Sequence, residues 1–339
     1  MASMKDVAKL AGVSSATVSR VLRNSPNVRQ EMRDRVMDAV RELNYRPNRV
    51  ARSLRVQQSN IIGLAVTDIE NNFFTTIARA VEDVAFENEF ALFLCNTDET
   101  PERERLYLDL MRAEHVAGMI IAPTRDVGVR LAPLLEDKIP VVAVDRRVEQ
   151  FEVDTVLSDN LDATFKIVSH LIAHGHRRVG AIVGIPTITT GRERLEGYRR
   201  ALATHDIPFD SNLVMTVVPR DVNGYQAMKA LWKQRPAAVF TSTEVLMAGA
   251  LRAIRELKLE VPGDVALAGF DDPFWSTLVR PGLTCIRQPT YEMGRLAADL
   301  LIQRLRNPAR PTREVVLKSK FIVRESCGCH DGVEDHKGS

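Results

Sequence analysis

Met4-Lys-Asp-Val-Ala-Lys-Leu-Ala-Gly-Val-Ser-Ser-Ala-Thr-Val-Ser-Arg-Val-Leu22 is the stretch that decides the fold of the amino-terminal part of the chain. Ser3 precedes it, and Asp6 follows three residues later, which is the Ser-x-x-Asp pattern of a helix capping box. Apolar residues recur at helical spacing on both sides of Gly12, and Ser14 is placed to cap the second run. The stretch therefore predicts two short helices joined by a glycine turn.

The outward face of the second helix has the composition that DNA recognition requires. It consists of small residues, hydroxyls and one guanidinium, with no acid: Ser15, Ala16, Thr17, Ser19 and Arg20. Small side chains let a helix approach the major groove, hydroxyls bond phosphates, and arginine binds guanine with two hydrogen bonds. The pattern favours a helix-turn-helix, although spacing alone equally allows an ordinary two-helix corner.

The charge distribution favours the DNA-binding interpretation. Residues 1–60 contain twelve Lys and Arg against five Asp and Glu, a net charge of +7. The full chain has 46 basic and 44 acidic residues, so residues 61–339 carry 34 against 39, a net charge of −5. A basic segment of this size indicates a polyanionic partner. Residues 29–43 add a third amphipathic helix, for which only a structural role is predicted.

A second basic stretch follows this third helix. Arginines recur every three residues at positions 46, 49, 52 and 55, and no acid occurs between Glu42 and Asp68. The segment Asn48–Val56 allows about two helical turns, which is too short to be stable alone in water. We expect it to fold on DNA, with Leu54 inserted between base pairs from the minor groove. The alternative is a solvated basic linker.

These two stretches resemble the lactose-repressor (LacI/GalR) family of bacterial transcription regulators. The resemblance rests on Asp-Val-Ala-x-x-Ala-Gly-Val-Ser-x-x-Thr-Val-Ser-Arg-Val-Leu at residues 6–22 and on Tyr-Arg-Pro-Asn-Arg-Val-Ala-Arg-Ser-Leu at residues 45–54, and it extends to Arg-Glu-Ser at 324–326. It implies a headpiece over 1–47 and a hinge over 48–59. Ser15, Ala16 and Arg20 would read base edges, and Thr17 and Ser19 would hold phosphates. In the hinge, the implied DNA-binding residues are Asn48, Ala51, Leu54 and Arg55.

The remainder of the chain alternates strand-like and helical segments. Eight apolar runs occur at 61–67, 91–95, 118–122, 141–145, 179–184, 213–218, 237–242 and 265–270. Amphipathic stretches separate them, which is a βαβ pattern and predicts parallel sheets covered by helices on both faces. Because eight runs exceed one ordinary sheet, we expect an α/β body of two similar lobes behind the small all-α head.

The family resemblance implies the same architecture, with two lobes like those of periplasmic sugar-binding proteins and three chain crossovers between them. The first lobe would comprise about 60–158 and 290–320, and the second about 159–288 and 321–329. Residues 330–339 are polar and are predicted to be a disordered tail.

Candidate effector-binding residues follow the strand-like runs, at the edge where open parallel sheets bind ligands. Taken singly, each is explained as well by a cap or a surface ion pair, but together, and at matching family positions, they predict a polyol pocket. They are Phe73, Phe74, Asp145, Arg146, Thr190, Arg194, Thr243, Asp271 and Gln288.

Some positions depart from the family pattern and bear on the effector. Thr243-Glu244 stands where Asn-Asp is usual, and Asn72 replaces the usual proline before Phe73. Arg146, Arg194 and Arg220 would make the cleft basic, which favours a sugar acid or sugar phosphate over a neutral sugar. Glu244 could offset one of these charges, and a purine is the weaker alternative.

The expected function is ligand-responsive transcription regulation, as a repressor. An effector between the lobes would shift a homodimer between two arrangements that differ in affinity for a near-palindromic operator in double-stranded DNA. The sequence leaves open whether the effector releases or promotes DNA binding. The alternatives are a sugar-binding protein without DNA contact and a sugar-modifying enzyme on a related α/β fold.

Other sequence features mainly exclude function classes. No phosphate loop or Gly-x-Gly-x-x-Gly follows a strand-like run, so we expect neither catalysis nor a cofactor. Cys327-Gly-Cys329-His330 lacks the remaining ligands of a closed zinc site, and no metal is predicted. No apolar run suits a signal peptide or a membrane span, so a cytoplasmic protein is expected. No heptad tail follows Arg324, which favours a dimer over a tetramer.

Overall fold

The structure is a computed structural model that describes residues 2–22, 28–45 and 59–328. Its contacts divide the chain into two compact units, residues 1–59 and 60–339. The predicted hinge residues Asn48, Ala51, Leu54 and Arg55 lie outside the described residues, as does the predicted tail 330–339.

The first unit contains the predicted helix-turn-helix. Helix α1 spans Met4–Ala11 and α2 spans Ser15–Leu22. Both halves of the capping box are present at Ser3 and Asp6, with the Asp6 carboxylate 2.8 Å from the Ser3 amide nitrogen. Gly12 ends α1 in the left-handed conformation at φ 64°, which only glycine adopts without a steric cost.

A third helix closes the core of this unit. Helix α3 spans Gln30–Glu42 and lacks a side-chain cap. The three helices bury one apolar cluster, and Arg35 ties α3 to the end of α1 by donating to the Ala11 carbonyl at 2.6 Å. The fully or nearly buried members of the cluster are Val7, Ala8, Ala11, Val18, Val21, Val36, Ala39 and Tyr45.

The second unit contains two six-stranded sheets. In the first, all strands are parallel in the order β11-β5-β4-β3-β1-β2, and in the second the order is β12-β10-β9-β8-β6-β7 with only β12 antiparallel. The strands are β1 Ile61–Val66, β2 Ala91–Asn96, β3 Gly118–Ile121, β4 Val141–Val144, β5 Asp154–Ser158, β6 Val179–Val183, β7 Val214–Thr216, β8 Ala238–Thr241, β9 Ala266–Phe270, β10 Thr284–Arg287, β11 Glu314–Leu317 and β12 Lys320–Ile322.

Helices cover both faces of each sheet. They are α4 Asn72–Glu87, α5 Pro101–Ala113, α6 Gly128–Glu136, α7 Asn160–Ala173, α8 Thr189–Thr204, α9 Asp221–Trp232, α10 Glu244–Glu256 and α11 Thr290–Arg306. Each sheet has an apolar cluster on either side, so the body has two cores per lobe. The predicted fold class, a small α-helical head and a two-lobe α/β body with parallel sheets, is confirmed. Among the described residues, no helix combines the length and the apolar composition needed to cross a bilayer.

The chain passes between the sheets three times, because Ser158 ends a strand of the first sheet, Arg287 ends one of the second, and Leu317 again ends one of the first. After the second passage, α11 packs on α4 and on the first sheet. Lys320 was predicted to lie in the first lobe but pairs with Arg287 in the second sheet. The third passage is therefore slightly earlier than predicted.

A buried ion cluster fixes the start of β5. The Asp154 carboxylate accepts from Arg304 at 2.9 Å and from Arg310 at 2.7 Å, and it also accepts from the amide of Arg313 at 3.0 Å. Its side chain is fully buried. This one carboxylate thus joins β5 to α11 and to the segment that enters β11.

We expect Asp154→Asn to destabilise the chain by about 3–5 kcal/mol, because it leaves two buried guanidinium groups without their counter-charge. Urea unfolding followed by far-ultraviolet circular dichroism measures the shift in midpoint. Asp137→Asn is the matched control, since its partner Arg112 and Asp137 itself are half exposed and such pairs contribute little. Equal midpoints for the two variants would contradict the assigned importance of the Asp154 cluster.

Candidate functional site

The predicted DNA-reading face lies on the surface of the first unit. Ser15, Ala16 and Arg20 are exposed on α2, while Thr17 and Ser19 are half-buried. The Ser14 hydroxyl caps α2 by accepting from the Thr17 amide at 3.2 Å, and it also contacts the Thr17 hydroxyl at 2.9 Å. The first turn of α2 carries no acid. Its amino-terminal dipole and its exposed small residues therefore suit the approach of a phosphate backbone.

A cleft between the two lobes of the second unit brings together all nine predicted effector-binding residues. They come from six separate segments and from both lobes, and most lie at or near the carboxyl ends of strands. The cleft is lined by Phe73, Phe74, Asp145, Arg146, Thr190, Arg194, Thr243, Asp271 and Gln288, together with Thr67, Asp68, Asn71, Asp98, Glu99, Val218, Pro219 and Arg220.

Two aspartates occupy equivalent positions in the two lobes. Asp145 directly follows β4 and Asp271 directly follows β9, and both adopt left-handed backbone conformations, at φ 69° and 72°. Non-glycine residues seldom adopt this conformation, and such strain is concentrated at functional sites. Both side chains are nearly buried. The cleft thus receives one carboxylate from each lobe.

Arg146 is held within the first lobe. Its two terminal nitrogens donate to the two Glu99 carboxylate oxygens at 2.9 and 2.6 Å, and one of them also donates to the Pro123 carbonyl at 3.1 Å. Although burial opposes it, Arg146 lowers the pKa of Glu99. Burial raises the pKa of Asp145, against the opposing effect of Arg146 and Arg194. The positive charge of Arg146 is therefore largely compensated by Glu99 within the protein.

Arg194 is buried within the second lobe. It donates to the Asn160 side-chain oxygen at 2.9 Å and to the Ser242 carbonyl at 2.5 Å, and its guanidinium lies 3.8 Å from the centre of the Phe270 ring. Burial lowers its pKa, while Asp271 and Asp145 act in the opposite direction. Cation–π stacking and two neutral acceptors hold the Arg194 guanidinium in place at the cleft.

A hydrogen-bonded chain orients the carboxylate of the second lobe. The Gln288 amide nitrogen donates to Asp271 at 2.6 Å, and the Glu244 amide donates to the other Asp271 oxygen at 3.2 Å. The side-chain oxygen of Gln288 is buried without a hydrogen-bond partner. A buried unsatisfied acceptor is costly, so this atom is a candidate for a ligand hydroxyl.

The aromatic wall comes from the first turn of α4. Phe73 and Phe74 pack edge to face, with ring centres 5.1 Å apart and planes at 85°. Asn71 caps this helix by accepting from the Phe73 amide at 2.9 Å. The helix therefore begins without the proline that the family pattern has, and the two rings give the cleft an apolar wall.

Sequence reasoning missed Asp98 and Glu99 as cleft residues. Both follow the carboxyl end of β2, so the strand-end rule used for the other candidates would have found them. With them, the cleft lining contains five carboxylates, at positions 68, 98, 99, 145 and 271, against three guanidinium groups, at 146, 194 and 220. The cleft is not basic, in contrast to the expectation from the arginines alone.

Polar contacts bridge the two lobes around the cleft. Asp98 of the first lobe accepts from Arg220 of the second at 2.8 Å, and the Glu244 carboxylate accepts from the amide of Asn72 at 3.0 Å. On another side, Arg147 binds Glu193 and Arg192 binds Glu149. Among residues 2–22, 28–45 and 59–328, no group of three or more His, Cys, Asp or Glu side chains could hold a metal ion.

Comparisons with known protein families match both units. A model described as bacterial regulatory proteins of the lacI family matches residues 3–48, and one described as a periplasmic binding protein-like domain matches residues 168–327. The ribose operon repressor of Halalkalibacterium halodurans is 34% identical over 331 residues, which cover 96% of this chain and 97% of the repressor.

Two solved structures show the same similarity in three dimensions. The lac repressor dimer bound to operator and the anti-inducer ONPF is 27% identical with a TM-score of 0.84, and the match covers 96% of this chain and 99% of that one. The complex of the transcriptional regulator CelR with cellobiose is 31% identical with a TM-score of 0.72, over 96% of this chain and 100% of that one.

The contact between the Glu244 carboxylate and the Asn72 amide is expected to depend on pH. Burial and the neighbouring Asp271 raise the pKa of Glu244 to about 7. The folded chain therefore favours the protonated form, and the contribution of Glu244 to stability falls as pH rises from about 4.5, its ordinary pKa, to about 7.

We expect Glu244→Gln to be more stable than the unsubstituted chain at pH 8, by roughly 1–3 kcal/mol, because the amide keeps an acceptor for Asn72 without the buried charge. The difference should shrink towards pH 5. Paired urea titrations at the two pH values measure it. A difference that does not change with pH would show that Glu244 titrates outside this range.

Proposed function

Because the chain belongs to the lacI family of bacterial regulatory proteins, we propose that it is a transcription repressor whose operator binding is controlled by a neutral polyol bound between the lobes. The observation that carries the ligand assignment is the meeting of nine predicted side chains from both lobes at one cleft. The observation that supports DNA binding is the exposed, acid-free face of α2 on a basic unit.

In this proposal the first unit reads a duplex through α2. Ser15, Ala16 and Arg20 contact base edges, and Thr17 and Ser19 contact phosphates. Since Ser15 and Ala16 are small, Arg20 carries most of the base discrimination within α2. The hinge residues predicted from the sequence add contacts in the minor groove.

The effector is assigned as neutral because the cleft arginines are already compensated. Arg146 binds Glu99 through both terminal nitrogens, and Arg220 binds Asp98. Arg194 faces Asp145 and Asp271, and the lining carries more carboxylates than guanidinium groups. An anionic sugar would meet this excess of carboxylates, whereas hydroxyls can donate to Asp145, Asp271 and the Gln288 oxygen. The cellobiose held by CelR is a neutral sugar, which supports this assignment.

The coupling between effector binding and operator binding follows from the position of the cleft between the two lobes. A ligand that contacts Asp145 in one lobe and Asp271 in the other favours the arrangement in which the lobes are close. A coupling free energy of about 1–3 kcal/mol would change operator affinity by roughly 5–150-fold. The sign of this change, release or promotion of DNA binding, is left to experiment.

We assign a homodimer from the surface of the first lobe. Large apolar side chains are exposed on the edge strand β2 and on the helices beside it, and their clustering indicates a protein interface. They are Phe86, Phe93, Leu94, Leu106 and Leu110. Two heads in one dimer would read a near-palindromic operator. Binding to the bacterial chromosome places the protein in the cytoplasm.

We expect no catalytic activity. The matched regulators are named for transcription control, and among the described cleft residues the carboxylates of Glu99 and Asp271 are held by protein donors. A turnover assay with any ligand found below tests this directly.

For DNA, we expect Arg20→Ala to reduce the preference for selected over random duplex about tenfold to hundredfold, because one bidentate base contact is lost. The probe is DNA enriched by the unsubstituted protein from a random pool, and affinities are measured by fluorescence anisotropy. Arg41→Ala is the control, since Arg41 is exposed on α3 and pairs with Asp38. Unchanged preference in the Arg20 variant would contradict its role.

For the effector, we expect a thermal-shift screen of pentoses, hexoses, disaccharides, sugar acids and sugar phosphates to give its hits among the neutral sugars. Asp271→Asn should weaken a hit about tenfold to hundredfold, because a charge-assisted hydrogen bond is lost. Asp206→Asn is the control, since Asp206 has a similar left-handed backbone, at φ 55°, outside the cleft. Hits only among anionic sugars would overturn the neutral-polyol assignment.

A further inference from the structure

The turn that follows β2 carries two consecutive acids in an unusual backbone conformation. Asp98 and Glu99 have φ 53° and 55°, both in the left-handed region, and the amide of Thr100 donates to the Thr97 carbonyl at 2.9 Å across them. A tight turn with two such central residues is usually built from Gly, Asn or Asp, so a glutamate there is strained. Strain of this kind persists at ligand clamps, where surrounding contacts hold it in place.

The two carboxylates of this turn bind different partners. Glu99 accepts from Arg146 within the first lobe. Asp98 accepts from Arg220 of the second lobe at 2.8 Å, and it also pairs with Arg103 of its own lobe at 3.3 Å. Contacts within the first lobe therefore hold Asp98 in place, and its carboxylate is presented to the second lobe.

The Asp98–Arg220 pair lies at the mouth of the cleft. Asp145, Arg194 and Asp271 line the same cleft and are buried. The side chains of Asp98 and Arg220, in contrast, are 34% and 52% exposed. An effector bound to the buried groups would therefore lie beneath a contact that joins the two lobes.

The space beneath this pair is small. The cavity has a volume of about 60 Å³, which is room for roughly four to six water molecules. The hydroxyl groups of one sugar ring would take the places of these waters. A second ring attached to the first would need the space at the mouth that the Asp98 and Arg220 side chains occupy.

We propose that the Asp98–Arg220 pair limits the size of the effector: it closes over a single sugar ring and excludes disaccharides and other glycosides with a second ring. This inference rests on the proposed function, since it takes a neutral polyol as the occupant of the cleft, and it adds the size class of that polyol. A second ring would have to separate the Asp98 carboxylate from the Arg220 guanidinium. By holding the lobes apart, it would also break the contact between Glu244 and the Asn72 amide.

The strength of these contacts determines how large the size preference is. An exposed ion pair shifts an equilibrium by roughly fivefold at most. Loss of the pair together with loss of one hydrogen bond between the lobes gives a preference of about tenfold for a monosaccharide over a two-ring compound that contains it. We expect Arg220→Ala to reduce this preference about threefold to tenfold, because it removes the side chain from the mouth as well as the ion pair.

Isothermal titration calorimetry of the full chain measures both affinities. The single-ring probes are D-glucose, D-galactose, D-mannose, D-xylose and D-ribose, and the two-ring probes are cellobiose, maltose, lactose, mannobiose, xylobiose and the phenyl ribofuranosides. Arg220→Lys keeps a cation for Asp98 and should keep most of the preference. Asp98→Ala, Arg220→Ala and the double variant should lower it to a similar extent, since each removes the same pair.

Arg252→Ala is the matched control. Arg252 pairs with Asp221, which directly follows Arg220 in the chain, and its side chain is 53% exposed. This pair lies within the second lobe and does not line the cleft, so its loss should leave the ratio of the two affinities unchanged. If Arg220→Ala weakens single-ring and two-ring binding equally, the Asp98–Arg220 pair only holds the lobes together, and the inference is wrong.

The outcomes separate this inference from the proposed function. Three results would overturn the size limit and leave a neutral polyol in the cleft: equal affinity of the unsubstituted chain for one ring and for two, an unchanged preference in Arg220→Ala, or the same loss of preference in Arg252→Ala. Binding of none of the probes would overturn the proposed effector class and the size limit with it.

Discussion

The burial of the charged Arg194 side chain is the constraint on which the cleft depends. A guanidinium removed from water is costly unless acceptors and counter-charges replace the lost hydration. Asn160, the Ser242 carbonyl and the Phe270 ring supply the local contacts, all from the second lobe. The counter-charges come from both lobes, Asp271 in the second and Asp145 in the first. The electrostatic environment of one side chain therefore depends on the approach of the other lobe.

The sequence was enough to predict residues that line the cleft, but it was not enough to predict the balance of positive and negative charge there. The strand-end rule needs only the order of strands, and together with the matching family positions it indicated Asp145, Asp271 and the other candidates without knowledge of distances. Whether a guanidinium is available to a ligand depends on its tertiary partners. The bidentate pair of Arg146 with Glu99 joins residues 47 positions apart, and no periodicity or spacing reports it. For this reason the predicted preference for an anionic sugar does not follow once the partners are known.

The fold, like the site, could be predicted only where the signal is local in the sequence. Long buried runs such as β1 and β9 were recognisable because five or six consecutive apolar or small residues lie in a fully covered sheet. By contrast, β5 begins with Asp154 and ends with Ser158, and β11 and β12 are short edge strands with half-exposed residues, so neither composition nor alternation marked them. Helix α6 carries Pro133 in its interior, where proline weakens the local preference for a helix. These are elements whose stability comes from tertiary partners, as the Asp154 cluster shows.

Some interactions between the lobes favour their approach, and others oppose it. A ligand in the cleft would change the balance between them. The Arg220–Asp98 pair and the bond from the Asn72 amide to Glu244 favour approach of the lobes. The burial of carboxyl groups acts in the other direction, because it raises the pKa of both Asp145 and Glu244 and so disfavours their charged forms. Hydroxyls that donate to Asp145 and Asp271 would replace lost water and remove part of this penalty. A polyol would then shift the lobe equilibrium by as much as its affinities for the two arrangements differ.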